Sequence, residues 1–309
     1  MNLTSDSRVL VQGVMEPLGK VYAPLMQTYG TTVIAGVASG HGGDSVDGIP
    51  VFDMVDQAIA HVGKVDIAVI FDHPYRVLDA ALEAIAAGIR QIVIVSEGVP
   101  PMDMVQLVRK AESTETLLLG ANSPGIILPG RILLGTHPAD LYTPGPIGLI
   151  SRSSTLTYEI AWRLTQAGLG QSIVAGIGGD RIVGSSFQQW LQILEEDDQT
   201  RAIVLIGEIG GDSEEVAASY IAEAIDKPVI AYIAGRTAPI GQFMGHAGAV
   251  IAAQVPDLNC GVGTVNSKIA ALKAAGAIVA ETPSQIASLV KTSLAKLRVE
   301  EAPPVNLRR

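Results

Sequence analysis

The chain has 309 residues, a formal charge of −10, 48% hydrophobic residues and 17% charged ones. That length suits two ordinary domains, and the balance excludes a disordered chain and an electrostatic nucleic-acid interface. The lone Cys260 excludes an intrachain disulfide and a cysteine-based zinc site.

Aromatic residues are scarce at 4%, whereas aliphatic residues and glycine abound. This mixture suits parallel sheets covered by helices, whose strands read as unbroken aliphatic runs. The start, Met1 to Asp6, has neither a basic segment nor an apolar one, and no apolar run reaches membrane-spanning length. The expectation is a soluble, cytoplasmic protein with no membrane or nucleic-acid partner.

In chain order, Val9–Val11, Val33–Ala35, Ile67–Phe71 and Ile92–Val95 read as buried strands. Between the last two, Leu78, Ala81, Leu82 and Ile85 mark a helix from Val77 to Ala87 that Gly88 stops. A helix over Met102–Ala111 and a strand at Leu117–Leu119 follow. The stretch Pro138–Pro146 has three prolines and no period, and it marks a boundary.

Alternation restarts with a strand at Ile147–Ile150, a helix over Thr155–Ala167 and a strand at Ile173–Ala175. It continues with a helix from Phe187 to Leu194, a strand at Ile203–Ile206 and a helix from Glu214 to Ala224. Val229–Ile233 makes the next strand, and a final helix starts at Pro283. Strand–helix alternation in both halves predicts two doubly wound α/β domains. We expect them over residues 1–144 and 145–298, with a loose tail over 299–309.

Ligands of such folds bind where strand C-termini meet helix N-termini. Glycine-rich segments stand at six such places: 13–19, 36–43, 120–130, 176–184, 207–211 and 235–248. Together they suggest an extended site for a phosphate-rich ligand, or two sites. The last holds His246 between Gly245 and Ala247-Gly248, where bare amides let an imidazole be approached by a phosphoryl group.

Four motifs occur in order: Ser151-Arg152-Ser153-Ser154-Thr155-Leu156-Thr157-Tyr158-Glu159, Gly176-Ile177-Gly178-Gly179-Asp180, Gly207-Glu208-Ile209-Gly210-Gly211 and Met244-Gly245-His246-Ala247-Gly248. With them, the chain resembles the α subunits of succinyl-CoA synthetase (succinate–CoA ligase). The resemblance runs from about Val9 to about Lys296. It implies a Rossmann-like CoA-binding domain followed by a flavodoxin-like ligase domain. The implied reaction is the reversible conversion of acyl-CoA, phosphate and NDP into carboxylate, CoA and NTP, through an acyl phosphate and a phosphohistidine.

The resemblance makes His246 the phosphorylated nucleophile and Glu208 the carboxylate that orients it. Ser153, Ser154 and Thr155 would bind phosphate at a helix N-terminus. Tyr158 would contact substrate, and Gly13, Gly19, His41, Ser96, Glu97 and Asn122 would contact coenzyme A. A β subunit with an ATP-grasp fold would supply the site for ATP/ADP or GTP/GDP and Mg²⁺. No metal is assigned to this chain itself.

The first half departs from the family pattern. Gly13-Val14-Met15-Glu16-Pro17-Leu18-Gly19 keeps only the outer glycines of a Gly-Phe-Thr-Gly-x-x-Gly loop, and His41 stands where a lysine is usual. Asp72-His73-Pro74-Tyr75-Arg76 replaces a Val-Pro-Ala-Pro-Phe type segment, with Arg76 restoring a positive charge or lying at the surface. Ser123 replaces a cysteine, Ser154 a glycine and Phe243 a basic residue, and about seven residues from Ala253 to Asn259 read as an insertion. Two readings follow: a working ligase subunit, or a paralogue with altered or lost CoA binding that regulates, assembles or uses another acid. A dehydrogenase is disfavoured, because no Gly-x-Gly-x-x-Gly opens the first helix.

Overall fold

The computed structural model describes residues 3–238 and 263–300. His246, Phe243, the 253–259 segment, Cys260 and the tail from residue 301 lie outside the described residues.

Among the described residues, two seven-stranded sheets follow one another along the chain. The first contains β1 (Arg8–Gln12), β2 (Thr32–Val37), β3 (Ser45–Val46), β4 (Ile49–Phe52), β5 (Ile67–Ile70), β6 (Gln91–Ile94) and β7 (Leu117–Leu119) in the order β3-β4-β2-β1-β5-β6-β7. Apart from the short β3, all its pairings are parallel. From β4 to β7 this is the Rossmann order, with its winding reversed between β1 and β5. Leu10, Val11, Val69, Ile70 and Ile94 are fully buried, because helices cover both faces. Those helices are α1 (Pro17–Tyr29), α2 (Val55–Val62), α3 (Val77–Ala86) and α4 (Pro101–Ser113).

The second sheet contains β8 (Gly125–Leu128), β9 (Ile132–Gly135), β10 (Pro144–Ser151), β11 (Gln171–Gly176), β12 (Ala202–Glu208), β13 (Val229–Ala234) and β14 (Ile278–Val279). Its order is β14-β13-β12-β10-β11-β8-β9. The five parallel strands have the flavodoxin-like order, with winding reversed between β10 and β12. Among the described residues the helices here are α5 (Ser154–Gln166), α6 (Phe187–Glu196), α7 (Ser213–Ala224), α8 (Val265–Ala274) and α9 (Ile286–Glu300). Both halves therefore have the α/β architecture expected from the sequence.

Sheet membership changes between Leu119 and Gly125, ahead of the proline-rich stretch. The apolar run Ile126–Leu128 forms a hairpin with β9 and pairs antiparallel with β11. The hairpin is also tied to the first half. Thr31 Oγ1 donates to the Leu133 carbonyl at 2.8 Å and accepts from Leu133 N at 3.0 Å, and Gly130 N donates to Tyr29 Oη at 2.8 Å. One apolar core cluster consequently runs through both sheets. Pro144–Pro146, read as boundary, begins the central strand β10.

Candidate functional site

The C-terminal ends of β10, β11 and β12 converge at the winding reversal of the second sheet. Ser153 is the N-cap of α5. Its Oγ accepts from Leu156 N at 3.3 Å, and its own N–H donates to Ser151 Oγ at 3.0 Å. A serine there satisfies an otherwise orphaned amide of the first turn. Half-buried Ser154 and exposed Thr155 start that turn, where amides and helix dipole favour an anion.

Glu208 ends β12 and is buried. Arg152 reaches it from the end of β10, with Nε 3.4 Å from Oε1, while Nη2 donates to the Asp180 carbonyl at 2.8 Å. Arg152 thus ties the end of β12 to the loops after β10 and β11. It also lines a cleft of about 800 Å³ between α4 and the 181–187 segment, together with Arg181 and Ser213. The structure therefore brings Glu208 and the 153–155 turn to one end of the sheet.

A buried ionic network sits behind Glu208. Glu214, in the first turn of α7, accepts the Glu208 N–H at 3.0 Å through Oε1. Its Oε2 pairs with Lys268 of α8, and Lys268 Nζ also donates to the Gly210 carbonyl at 2.8 Å. Both charged side chains are essentially inaccessible, at 0% and 1%. Gly207 is required here, since a Cβ on it would stand 2.5 Å from Glu214 Cγ.

Tyr158 lies farther along α5, half-buried, with a side-chain hydrogen bond to Thr136 and its ring 5.9 Å from that of His137. Burial raises its phenol above the usual range. His137 is 2% exposed; Nε2 is 3.1 Å from the Gly125 carbonyl and Nδ1 is 2.7 Å from Tyr142 Oη. The carbonyl only accepts, so Nε2 carries the proton and the Tyr142 hydroxyl donates to Nδ1. Burial lowers the His137 pKa to about 4.

In the first half, Gly13 and His41 border one pocket of about 170 Å³ at the winding reversal between β1 and β5. Gly13 has φ +70°, and a Cβ on it would meet Asp72 N at 2.5 Å. Gly19 packs α1 against that turn. His41 Nδ1 is 3.0 Å from Asp44 Oδ2. Ser96 is buried and donates to the Asp72 carbonyl at 2.6 Å, whereas Glu97 is exposed.

Asn122 joins the two halves. Its N–H donates to the Ser96 carbonyl at 2.9 Å, its carbonyl accepts from Gly179 N at 3.1 Å, and its side chain donates to Asp180 at 3.0 Å. Arg152, Asp180, Glu214 and Lys268 had no assigned role in the sequence. Arg152 was the one within reach, as the single cation inside the serine-rich motif before α5. Among the described residues no group of three or more His, Cys, Asp or Glu could hold a metal ion, and no helix is long and apolar enough to cross a membrane.

A CoA binding domain model matches residues 4–98, and a CoA-ligase model matches 150–278. The chain is 48% identical over 284 residues to succinate–CoA ligase [ADP-forming] subunit alpha 2 of Archaeoglobus fulgidus, covering 92% of this chain and 96% of that protein. It is 43% identical to the corresponding alpha subunit of Aquifex aeolicus, covering 97% and 96%. Among solved structures, an ATP citrate lyase from Methanothrix soehngenii in complex with citrate and coenzyme A superposes with a TM-score of 0.85 at 20% identity. That match covers all of this chain and 53% of the other, so the chain spans about half of that structure, and the likeness concerns the fold alone. Near-complete coverage at this level of identity, with both domains in the same order, makes the chain a member of the succinate–CoA ligase α-subunit family.

Proposed function

We propose that the protein is the α subunit of a succinate–CoA ligase that works through a phosphohistidine at His246. Phosphate oxygen attacks the thioester carbonyl, the C–S bond breaks, and CoA leaves as its thiol. The imidazole then takes the phosphoryl group from the acyl phosphate and releases succinate. A terminal oxygen of ADP finally accepts that group from the histidine, giving ATP; ADP is the nucleotide in the relatives' names. The reverse sequence forms the thioester.

The observation that carries this reading is the meeting of Glu208, Arg152 and the 153–155 turn at one sheet end. A carboxylate facing one ring nitrogen fixes the tautomer, leaves the other lone pair free to attack, and stabilises the imidazolium that forms. The α5 N-terminus offers amides to the moving phosphoryl group. We assign coenzyme A to residues 1–144 and phosphoryl transfer to 145–298. The Gly13 turn and Arg76 suit a phosphate-bearing cofactor, although Glu16 and Asp72 share the pocket.

The nucleotide and Mg²⁺ belong on a companion β subunit with an ATP-grasp fold, in a non-membrane, cytoplasmic complex. The test is to purify the chain with its companion and assay thioester formation from succinate, coenzyme A and ATP. We expect turnover in the wild type and none in His246→Asn. A complex that neither retains coenzyme A at low salt nor turns over succinate would favour the regulatory paralogue.

A further inference from the structure

The two loops flanking the winding reversal of the first sheet are joined by an ion-pair strap. Arg76 closes the short turn after β5, and its Nη2 pairs with Glu16, in the loop after β1. Its Nε donates to Asp72 Oδ1 at 2.8 Å. All three side chains line the same pocket as Gly13. Glu16 occupies the N-cap position of α1 yet makes no capping bond, its carboxylate being turned to Arg76 instead.

Other groups at this mouth are already engaged. The amides of Gly40 and Gly42 both donate to Asp53 Oδ1, at 2.7 and 3.0 Å, and His41 faces Asp44. Arg76 is thus the permanent cation among the side chains lining the pocket, and an internal carboxylate covers it.

We infer that Arg76 is the phosphate anchor of this pocket and that Glu16 is its internal competitor, displaced when coenzyme A binds. This rests on the assignment of coenzyme A to the first domain. The Asp72 contact serves as a pivot that keeps the guanidinium over the pocket while Nη2 changes partner. Arg76 is 60% exposed and Glu16 31%, so their pair is worth at most about fivefold in an equilibrium and yields readily. A phosphate brings more charge and matches the guanidinium fork, which favours the exchange. The strap makes anion binding conditional on Glu16 moving away, so weakly charged ligands gain nothing from Arg76.

Calorimetric titration of the full-length protein in its native assembly tests this, with coenzyme A and with 3′-dephospho-coenzyme A. Glu16→Gln should tighten coenzyme A about two- to fivefold, and Arg76→Met should weaken it about tenfold or more. The double variant should bind no better than Arg76→Met, because the benefit of losing Glu16 passes through Arg76. A similar Arg76→Met loss for the dephospho ligand places the anchor on the diphosphate, and a smaller loss places it on the 3′-phosphate. Unchanged melting temperatures establish that the variants are folded. Wild-type affinity in Arg76→Met, or an undiminished gain from Glu16→Gln in its background, overturns the strap while leaving the domain assignment intact. No binding by the wild type overturns both.

Discussion

Glu214 holds Glu208 by its backbone: the carboxylate of one accepts the N–H of the other at 3.0 Å. Lys268 clamps the opposite oxygen of that carboxylate inside the protein. A buried ion pair contributes little net stability, but removing one partner strands the other charge. Lys268→Met should therefore lower unfolding free energy by about 3–5 kcal/mol in urea titrations. Glu214→Gln combined with Lys268→Met should recover much of that loss. A double variant no more stable than the single one would show that the charge of Glu214 is not the cause.

Arg152 spans Glu208 and the Asp180 carbonyl, a reach that depends on the guanidinium fork. Arg152→Lys preserves the charge and loses one of the two contacts. We expect phosphoryl transfer to slow about tenfold while coenzyme A affinity stays unchanged, in keeping with one charge-assisted hydrogen bond. Rapid-quench transfer rates beside binding titrations separate these effects.

Glu208→Gln keeps the shape and removes the charge that, in the proposed mechanism, stabilises an imidazolium. Transfer should fall by about a hundredfold or more, within the span of positioned acid–base groups. The variant should stay folded, its melting temperature lowered only by the loss of the charge pair with Arg152. Undiminished single-turnover transfer would remove Glu208 from the mechanism.

His137 makes stability depend on pH. Its pKa is about 4 in the folded protein and roughly 6.5 in an unfolded chain. Between those values the unfolded state binds the extra proton, so acidification favours unfolding. Its contribution is complete above the unfolded value and should fall by about 1.4 kcal/mol per pH unit as pH drops through the window. His137→Gln, which does not titrate, should flatten denaturant midpoints across that range by one proton's worth.

The long aliphatic strands were legible because burial on both faces leaves an unbroken signal, as at Ile67–Ile70. Helix α1 was not, since Pro24 lies inside it and Leu18, Val21 and Leu25 remain about half exposed. The β8–β9 hairpin was hidden in a glycine-rich stretch, where its pairing with β11 is a tertiary choice. At the site, Glu208 and Ser153 could be named from ordered motifs. Lys268 could not, because a lysine in a weakly patterned helix gives no local sign that it is buried. The Arg76–Glu16 pair joins residues 60 positions apart, and only the sheet order brings them together.

The most direct measurement is to phosphorylate the purified complex with radiolabelled ATP, or with succinyl-CoA and labelled phosphate, and to map the modified peptide. We expect an acid-labile, base-stable label on His246, discharged by ADP or by succinate with coenzyme A, and absent from His246→Asn. A turning-over complex that never carries phosphate on His246 would rule out the phosphohistidine route.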